Sequence, residues 1–94
     1  FSAMVPVEFG GGGARHSEVC ALIRSLAHYC PSTALALSMH QHLVAAALHN
    51  HRKGRPGQKL LEAVGGKELV LVSTGAGDWL ASNGNAVKVE GGFR

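Results

Sequence analysis

The chain has 94 residues, of which 46% are hydrophobic, 16% charged and 5% aromatic, a composition that allows one small globular domain. Its formal net charge is only +3 with the histidines neutral, and the basic residues Arg52, Lys53 and Arg55 form one short cluster. This cluster has no aromatic residues between its members and no helix-long basic stripe, which argues against a nucleic-acid-binding protein.

Two cysteines, Cys20 and Cys30, lack the spacing of a metal site or of a redox motif. No segment resembles a signal peptide. We therefore expect both cysteines to be reduced core residues of a cytoplasmic protein. The chain begins at Phe1 and stops at Arg94 after a predicted turn, so we also expect a fragment of a longer protein.

The first predicted helix covers residues 17–30, after an apolar N-terminal segment and a glycine-rich loop, residues 8–13, that we expect to be flexible. Ser17 is a candidate N-cap, and apolar residues recur at intervals of three and four up to Cys30. Pro31 ends this helix, because its ring and its missing N–H interrupt the hydrogen-bond ladder.

A second helix is predicted over residues 33–51, a stretch without any Asp, Glu, Lys or Arg. Polar residues interrupt it too often for a membrane span, so we expect helices or subunits outside this segment to bury it. Leu35, Leu37 and Leu43 are its predicted core residues. A short third helix, residues 57–64, is predicted to stop at Gly65 and Gly66.

The most informative stretch follows this third helix. Residues 69–72 are a short apolar run that predicts a strand, and Ser73 and Thr74 place two hydroxyl groups at its end. Gly75 and Gly77 then allow backbone N–H groups to approach a ligand closely. The stretch suits a planar cofactor with a phosphate tail, although an ordinary exit from strand to loop has the same pattern.

The end of the chain predicts a hairpin, with a strand over residues 86–90, a turn at Gly91 and Gly92, and a return strand that begins at Phe93. Helices followed by antiparallel strands predict an α+β fold, with residues 1–66 helical and residues 67–94 opening a sheet domain.

The predicted helices and loops hold no complete catalytic site. His40 and His42, two of the six histidines, point in opposite directions on a helix, and no cysteine or carboxylate joins them as a metal ligand. Ser73 and Thr74 have no neighbouring base, and the carboxylates are scattered. We therefore interpret the segment as a binding surface without metal ligands or catalytic residues of its own.

Five segments, in the right order, resemble the acyl-CoA dehydrogenase family, and together they span almost the whole chain. The first matches a Pro-x-Glu-aromatic-Gly-Gly motif, and the fourth resembles the Thr-Glu-Pro-x-Ala-Gly-Ser-Asp signature. In chain order the five are residues 6–11, 32–40, 57–61, 72–78 and 86–93. The signature is incomplete here, because Thr74 precedes Gly75 without a Glu-Pro pair and Gly77 precedes Asp78 without a Ser.

This resemblance implies a fragment that joins the late helices of an N-terminal helical domain to the first strands of a middle β-barrel domain. It also implies non-covalently bound FAD, a dimer or homotetramer, and a role in fatty acid metabolism: α,β-dehydrogenation of an acyl-CoA, with the base in a C-terminal helical domain. The cofactor-binding residues would be Leu71, Val72, Ser73, Thr74, Gly75 and Gly77, and the substrate-binding residues Met39 and His40.

Two other functions stay open from the sequence. A flavin-dependent monooxygenase of the same fold would act on another small molecule, and the incomplete signature allows it. A helical adaptor without catalysis would carry no flavin at all. The sequence also leaves open whether Ser73 or Thr74 corresponds to the threonine of the signature.

Overall fold

In the computed structural model, which describes residues 1–73 and 87–93, three α-helices pack together and a β-hairpin follows them. A short 3-10 helix, Val7–Phe9, precedes the α-helices. The longer elements are α1 (His16–Tyr29), α2 (Pro31–Arg52), α3 (Gln58–Lys67), β1 (Lys88–Val89) and β2 (Gly92–Phe93).

Helix α1 begins at His16, one residue before the predicted helix, and Ser17 is not its cap. The Glu18 carboxylate instead accepts hydrogen bonds from the backbone N–H of Arg15, at 2.7 Å, and from its guanidinium, at 3.1 Å. These bonds, the backbone one above all, lower the pKa of Glu18. The stabilisation that these hydrogen bonds give to the start of α1 is therefore present at neutral pH. It is lost as the pH falls through the lowered pKa of Glu18.

Pro31 separates α1 from α2, as predicted. It occupies the first turn of α2, where a missing N–H breaks no hydrogen bond. Cys30 alone connects the two helices: its N–H donates to Leu26 and its carbonyl accepts from Ala34. Helix α1 packs against α2, which packs against α3 in turn.

The prediction that both cysteines are buried is wrong, since Cys20 and Cys30 are free and exposed. Val19 is the buried residue of α1, so the described residues do not cover the broad apolar face of this helix, and Cys20 is exposed. Cys30 lies at the N-cap of α2, where its Sγ is 2.9 Å from the Thr33 hydroxyl, a hydrogen bond that lowers the pKa of the thiol.

Gly65 and Gly66 do not end α3, which continues to Lys67 and stops where Glu68 adopts a left-handed conformation with φ of 52°. A Cβ atom on Gly65 would collide with the carbonyl oxygen of Phe9. Gly65 is therefore needed for the close approach of α3 to the N-terminal segment, and its role could not be read from its place in the sequence.

The glycine-rich loop is also not the flexible segment that the sequence predicts. Each backbone N–H from Gly10 to Ala14 donates to a carbonyl among residues 2–7, at distances of 2.7–3.1 Å. Gly10 and Gly13 have positive φ values of 84° and 63°, which glycine adopts without strain. The loop folds back on the first residues of the chain and holds them against the helices.

The core draws on the N-terminal segment and on all three helices. Its buried members are Met4, Val5, Val19, Val44, Ala47, Leu61 and Val64. Of the leucines predicted as core in α2, Leu35 is 65% exposed, and Leu37 and Leu43 are half-buried. The buried stripe of α2 runs instead through Ala34, His40, Gln41, Val44 and Ala47. Cover of Leu35 by a partner outside the chain stays a prediction.

Residues 69–72 do not form the predicted strand in the structure. A strand requires a neighbour for its backbone groups, and the described strands pair only with each other: Lys88 with Phe93 and Val89 with Gly92. The hairpin is confirmed, but its turn lies at Glu90 and Gly91, since Gly92 already belongs to β2. The helical part of the predicted α+β fold is therefore present, and the start of a β-barrel and the boundary at residue 66 stay predictions.

Candidate functional site

The segment that follows α3 is fixed beside α2. The left-handed turn at Glu68 redirects the chain, and the Leu69 N–H donates to Ala63 at 3.4 Å. Two residues later, the Leu71 N–H donates to Nδ1 of His40 at 2.9 Å. Leu71 is half-buried against the core. This turn and these contacts place residues 69–73 against the middle of α2.

His40 is fully buried and uses both ring nitrogens. Its Nδ1 accepts from Leu71, and its Nε2 lies 3.1 Å from the carbonyl oxygen of Phe1. A carbonyl oxygen can only accept, so Nε2 carries the proton and the ring is neutral. The Phe1 ring meets the imidazole edge to face, with centroids 5.3 Å apart. His40 therefore joins α2, the first residue and the segment after α3.

Gln41 supports the same junction from the next position of α2. Its Nε2 donates to the Phe1 carbonyl at 2.7 Å, so that this oxygen accepts two hydrogen bonds. The Gln41 Oε1 atom is buried and has no donor among the described residues. The two polar residues of the buried α2 stripe, His40 and Gln41, thus hold the N-terminal residue and the segment after α3 against this helix.

A cleft of about 910 Å³ lies between α2 and α3, with Leu71 and Val72 in its wall. The volume is within the range of roughly 300–1,000 Å³ of small-molecule sites. Its lining is mainly apolar, and its polar side chains come from both α2 and α3. Besides Leu71 and Val72, the lining residues are Leu43, Ala46, Ala47, Asn50, Pro56, Gly57, Gln58, Lys59, Leu60 and Glu62. Its shape and lining can hold a flat apolar group or an alkyl chain.

The structure brings together some of the residues predicted to bind ligands. Leu71 and Val72 line the cleft, and the half-buried Ser73 follows them. Met39 is 39% exposed and does not line the cleft. His40 lies behind Leu71, with its polar atoms already engaged. Thr74, Gly75 and Gly77 lie outside the described residues, and every one of these ligand contacts stays a prediction.

Sequence reasoning missed the cleft itself. The residues that α2 contributes, Leu43, Ala46, Ala47 and Asn50, have the i, i+3, i+4, i+7 spacing of one helical face. Small residues on this face leave open volume beside α3, and that spacing was the signal available in the sequence.

Backbone donors are available at the edge of the cleft. Among the described residues, the N–H groups of Val72 and Ser73 donate to no protein acceptor, whereas that of Leu71 is engaged by His40. Val72 is 79% exposed. These N–H groups and the Ser73 hydroxyl are therefore candidate donors to a ligand.

Two other features are absent from the described part of the chain. Residues 1–73 and 87–93 hold no group of three or more His, Cys, Asp or Glu side chains arranged for a metal ion. None of the helices described here has the length and apolar character needed to cross a membrane.

Comparison with known families gives one match. The family model described as acyl-CoA dehydrogenase, N-terminal domain, matches residues 1–64. The match runs from the N-terminal segment through α1 and α2 and includes most of α3. Searches of the curated proteins and of the solved structures gave no significant match.

Proposed function

The chain belongs to the acyl-CoA dehydrogenase family, and we propose that it is part of an FAD-dependent enzyme that oxidises acyl-CoA thioesters. The observation that carries this proposal is the family match over residues 1–64, which includes the helices that form the cleft. The reaction removes a proton from the α-carbon of the thioester and a hydride from its β-carbon, and a double bond forms between these two carbons.

The described residues offer hydrogen-bond donors that would meet one edge of the flavin. Val72 and Ser73 offer two backbone N–H groups and a hydroxyl beside an apolar cleft. When bound, FAD supplies the acceptor for the hydride. Donors that are fixed before the reaction stabilise negative charge that develops along this edge, without a cost of reorganisation at that moment.

Further assignments belong to the same proposal. Gly75 and Gly77 would lie near the phosphates of FAD, and either Ser73 or Thr74 would supply the hydroxyl that meets the ring. Met39 would contact the substrate, and His40 would lie close to it. The catalytic base comes from outside these residues, since Glu68 precedes the cofactor segment. A dimer or homotetramer, cytoplasmic location and a role in fatty acid metabolism complete the proposal.

One observation favours a second candidate, a flavin-dependent monooxygenase of the same family. The signature segment has Thr74 directly before Gly75, without the Glu-Pro pair, and Gly77 directly before Asp78, without the Ser. In the family, the missing Ser is implicated in contacts with the cofactor or with acyl-CoA. Its absence would allow a different small molecule to react in a protein that still binds flavin.

Anaerobic titration of the full-length protein with acyl-CoA distinguishes the candidates. We expect purification to yield a yellow protein and acyl-CoA to bleach its flavin, because the hydride passes to the cofactor. Oxygen consumption by reduced flavin, without bleaching by acyl-CoA, would identify the monooxygenase. A folded full-length protein that binds no flavin would contradict both and support an adaptor.

The 94-residue segment alone is the control for this titration. It is expected to show no turnover with FAD and acyl-CoA, because a carboxylate base must lie within hydrogen-bond reach of the α-proton. Turnover by the segment would show that a base exists among these residues.

A further inference from the structure

We propose that His40 is a positioning residue for the cofactor-binding segment, an inference that rests on the proposed function. Its neutral imidazole holds the Leu71 N–H and thereby sets where the donors of Val72 and Ser73 lie. In this role His40 acts through Leu71 and does not touch the flavin.

The hydrogen-bond pattern of the segment supports this role. Within residues 69–73, the described hydrogen bonds to the rest of the chain are Leu69 to Ala63 and Leu71 to His40. The first, at 3.4 Å, joins Leu69 to the C-terminal end of α3. The second, at 2.9 Å, joins Leu71 to α2. The hydrogen bond to His40 therefore helps to fix Val72 in the wall of the cleft.

The imidazole is itself held from the other side. Its Nε2–H donates to Phe1, and its ring lies against the Phe1 side chain. Donation at Nε2 leaves the lone pair on Nδ1, which is the acceptor that Leu71 needs. Because His40 is fully buried and its bond to Leu71 is partly buried, a side chain without an acceptor at Nδ1 leaves the Leu71 N–H without its protein partner. The tautomer and the position of the segment are thus set together.

Two substitutions separate the functions of the two nitrogens. His40→Asn places an amide oxygen near the position of Nδ1 and retains an acceptor for Leu71, but it loses the bond to Phe1. His40→Gln places an amide nitrogen near Nε2 and retains a donor to Phe1, but it loses the acceptor for Leu71. His40→Leu removes both, and His42→Leu, at an exposed position of the same helix, is the matched control.

The test measures FAD dissociation constants and backbone amide exchange in the full-length protein. We expect His40→Gln and His40→Leu to raise the dissociation constant of FAD roughly tenfold, the effect of one lost hydrogen bond to a buried group. Exchange at Leu71 should become faster in both variants, and in the presence of FAD exchange at Val72 and Ser73 should become faster as well. His40→Asn and His42→Leu should stay close to wild type in both measurements.

The outcomes separate this role from a purely structural one. Thermal unfolding of the apoprotein reports general damage, and His40→Asn and His40→Gln should lower the melting temperature to similar extents. The positioning role would be wrong if the loss of FAD affinity among the variants paralleled their fall in melting temperature. It would also be wrong if His40→Asn lost as much FAD affinity as His40→Leu. If His40→Leu does not fold, the difference in FAD affinity between His40→Asn and His40→Gln still tests the positioning role.

Failure of the proposed function gives a different result. A folded wild-type protein that binds no FAD would contradict that function, and the exchange rate at Leu71 would then show whether His40 holds the segment. A wild-type protein that binds FAD, with all three His40 variants binding it equally well, would overturn the positioning role alone.

Discussion

Replacement of Gly65 by alanine is expected to lower the free energy of unfolding by about 3 kcal/mol, the upper part of the range for overpacking. The added Cβ would collide with the Phe9 carbonyl oxygen and would lie 2.9 Å from its carbon and 3.2 Å from a methyl group of Val5. Two of these three atoms are backbone, which a rotamer change cannot move. Helix α3 would have to withdraw from the N-terminal segment.

Gly66→Ala is the matched control, because it adds the same methyl group one residue later in the same helix. Among the described residues, no atom outside the neighbouring turns of the helix lies within 4 Å of the added Cβ. Alanine is the better helix former by about 1 kcal/mol, so this variant should be as stable as wild type or slightly more stable. Urea unfolding of both variants checks the pair, and similar losses of stability in the two would contradict the close approach of α3 to Phe9.

Leu61→Ala is expected to lower the free energy of unfolding by about 3 kcal/mol. Leu61 is fully buried, with a solvent-accessible fraction of 0%, and it is the largest fully buried side chain among the described residues. It packs with Val64 of α3 and with core residues of α2 and the N-terminal segment. Truncation removes buried methyl groups and leaves a cavity that these elements cannot close without losing other contacts.

Leu60→Ala, the neighbouring change on α3, controls for helix propensity. Leu60 is 37% exposed and lines the cleft, so its truncation should cost about 1 kcal/mol or less. The difference between the two variants in the midpoint of urea unfolding is the quantity to compare. Equal midpoints would show that α3 does not turn Leu61 towards the core and Leu60 towards the cleft.

Local patterns were sufficient to predict the helices. Pro31 marked the boundary between α1 and α2, and the interval of three and four residues found α1 to within one residue at each end. The cap of α1 was mispredicted, because the choice between Ser17 and Arg15 depends on where the Glu18 side chain reaches. Patterns of this kind work where the forces that form an element lie within a few residues.

Features that depend on distant parts of the chain could not be predicted. Gly65 has the sequence signature of a helix end, but contact with Phe9, more than fifty residues earlier, decides its role. Residues 69–72 have the composition of a strand, but the described residues give them no strand partner. In the candidate site, Leu71 and His40 were each named for ligand contacts, and no pattern showed that they bond to each other.

Binding of FAD at the segment after α3 can be measured by amide exchange in the full-length protein with and without FAD. We expect FAD to slow exchange at Val72 and Ser73, whose N–H groups have no protein acceptor among the described residues. Leu71 should exchange slowly in both states because His40 holds its N–H, and α1 should not change. Unchanged exchange at Val72 and Ser73 in a protein saturated with FAD would show that the cofactor binds elsewhere.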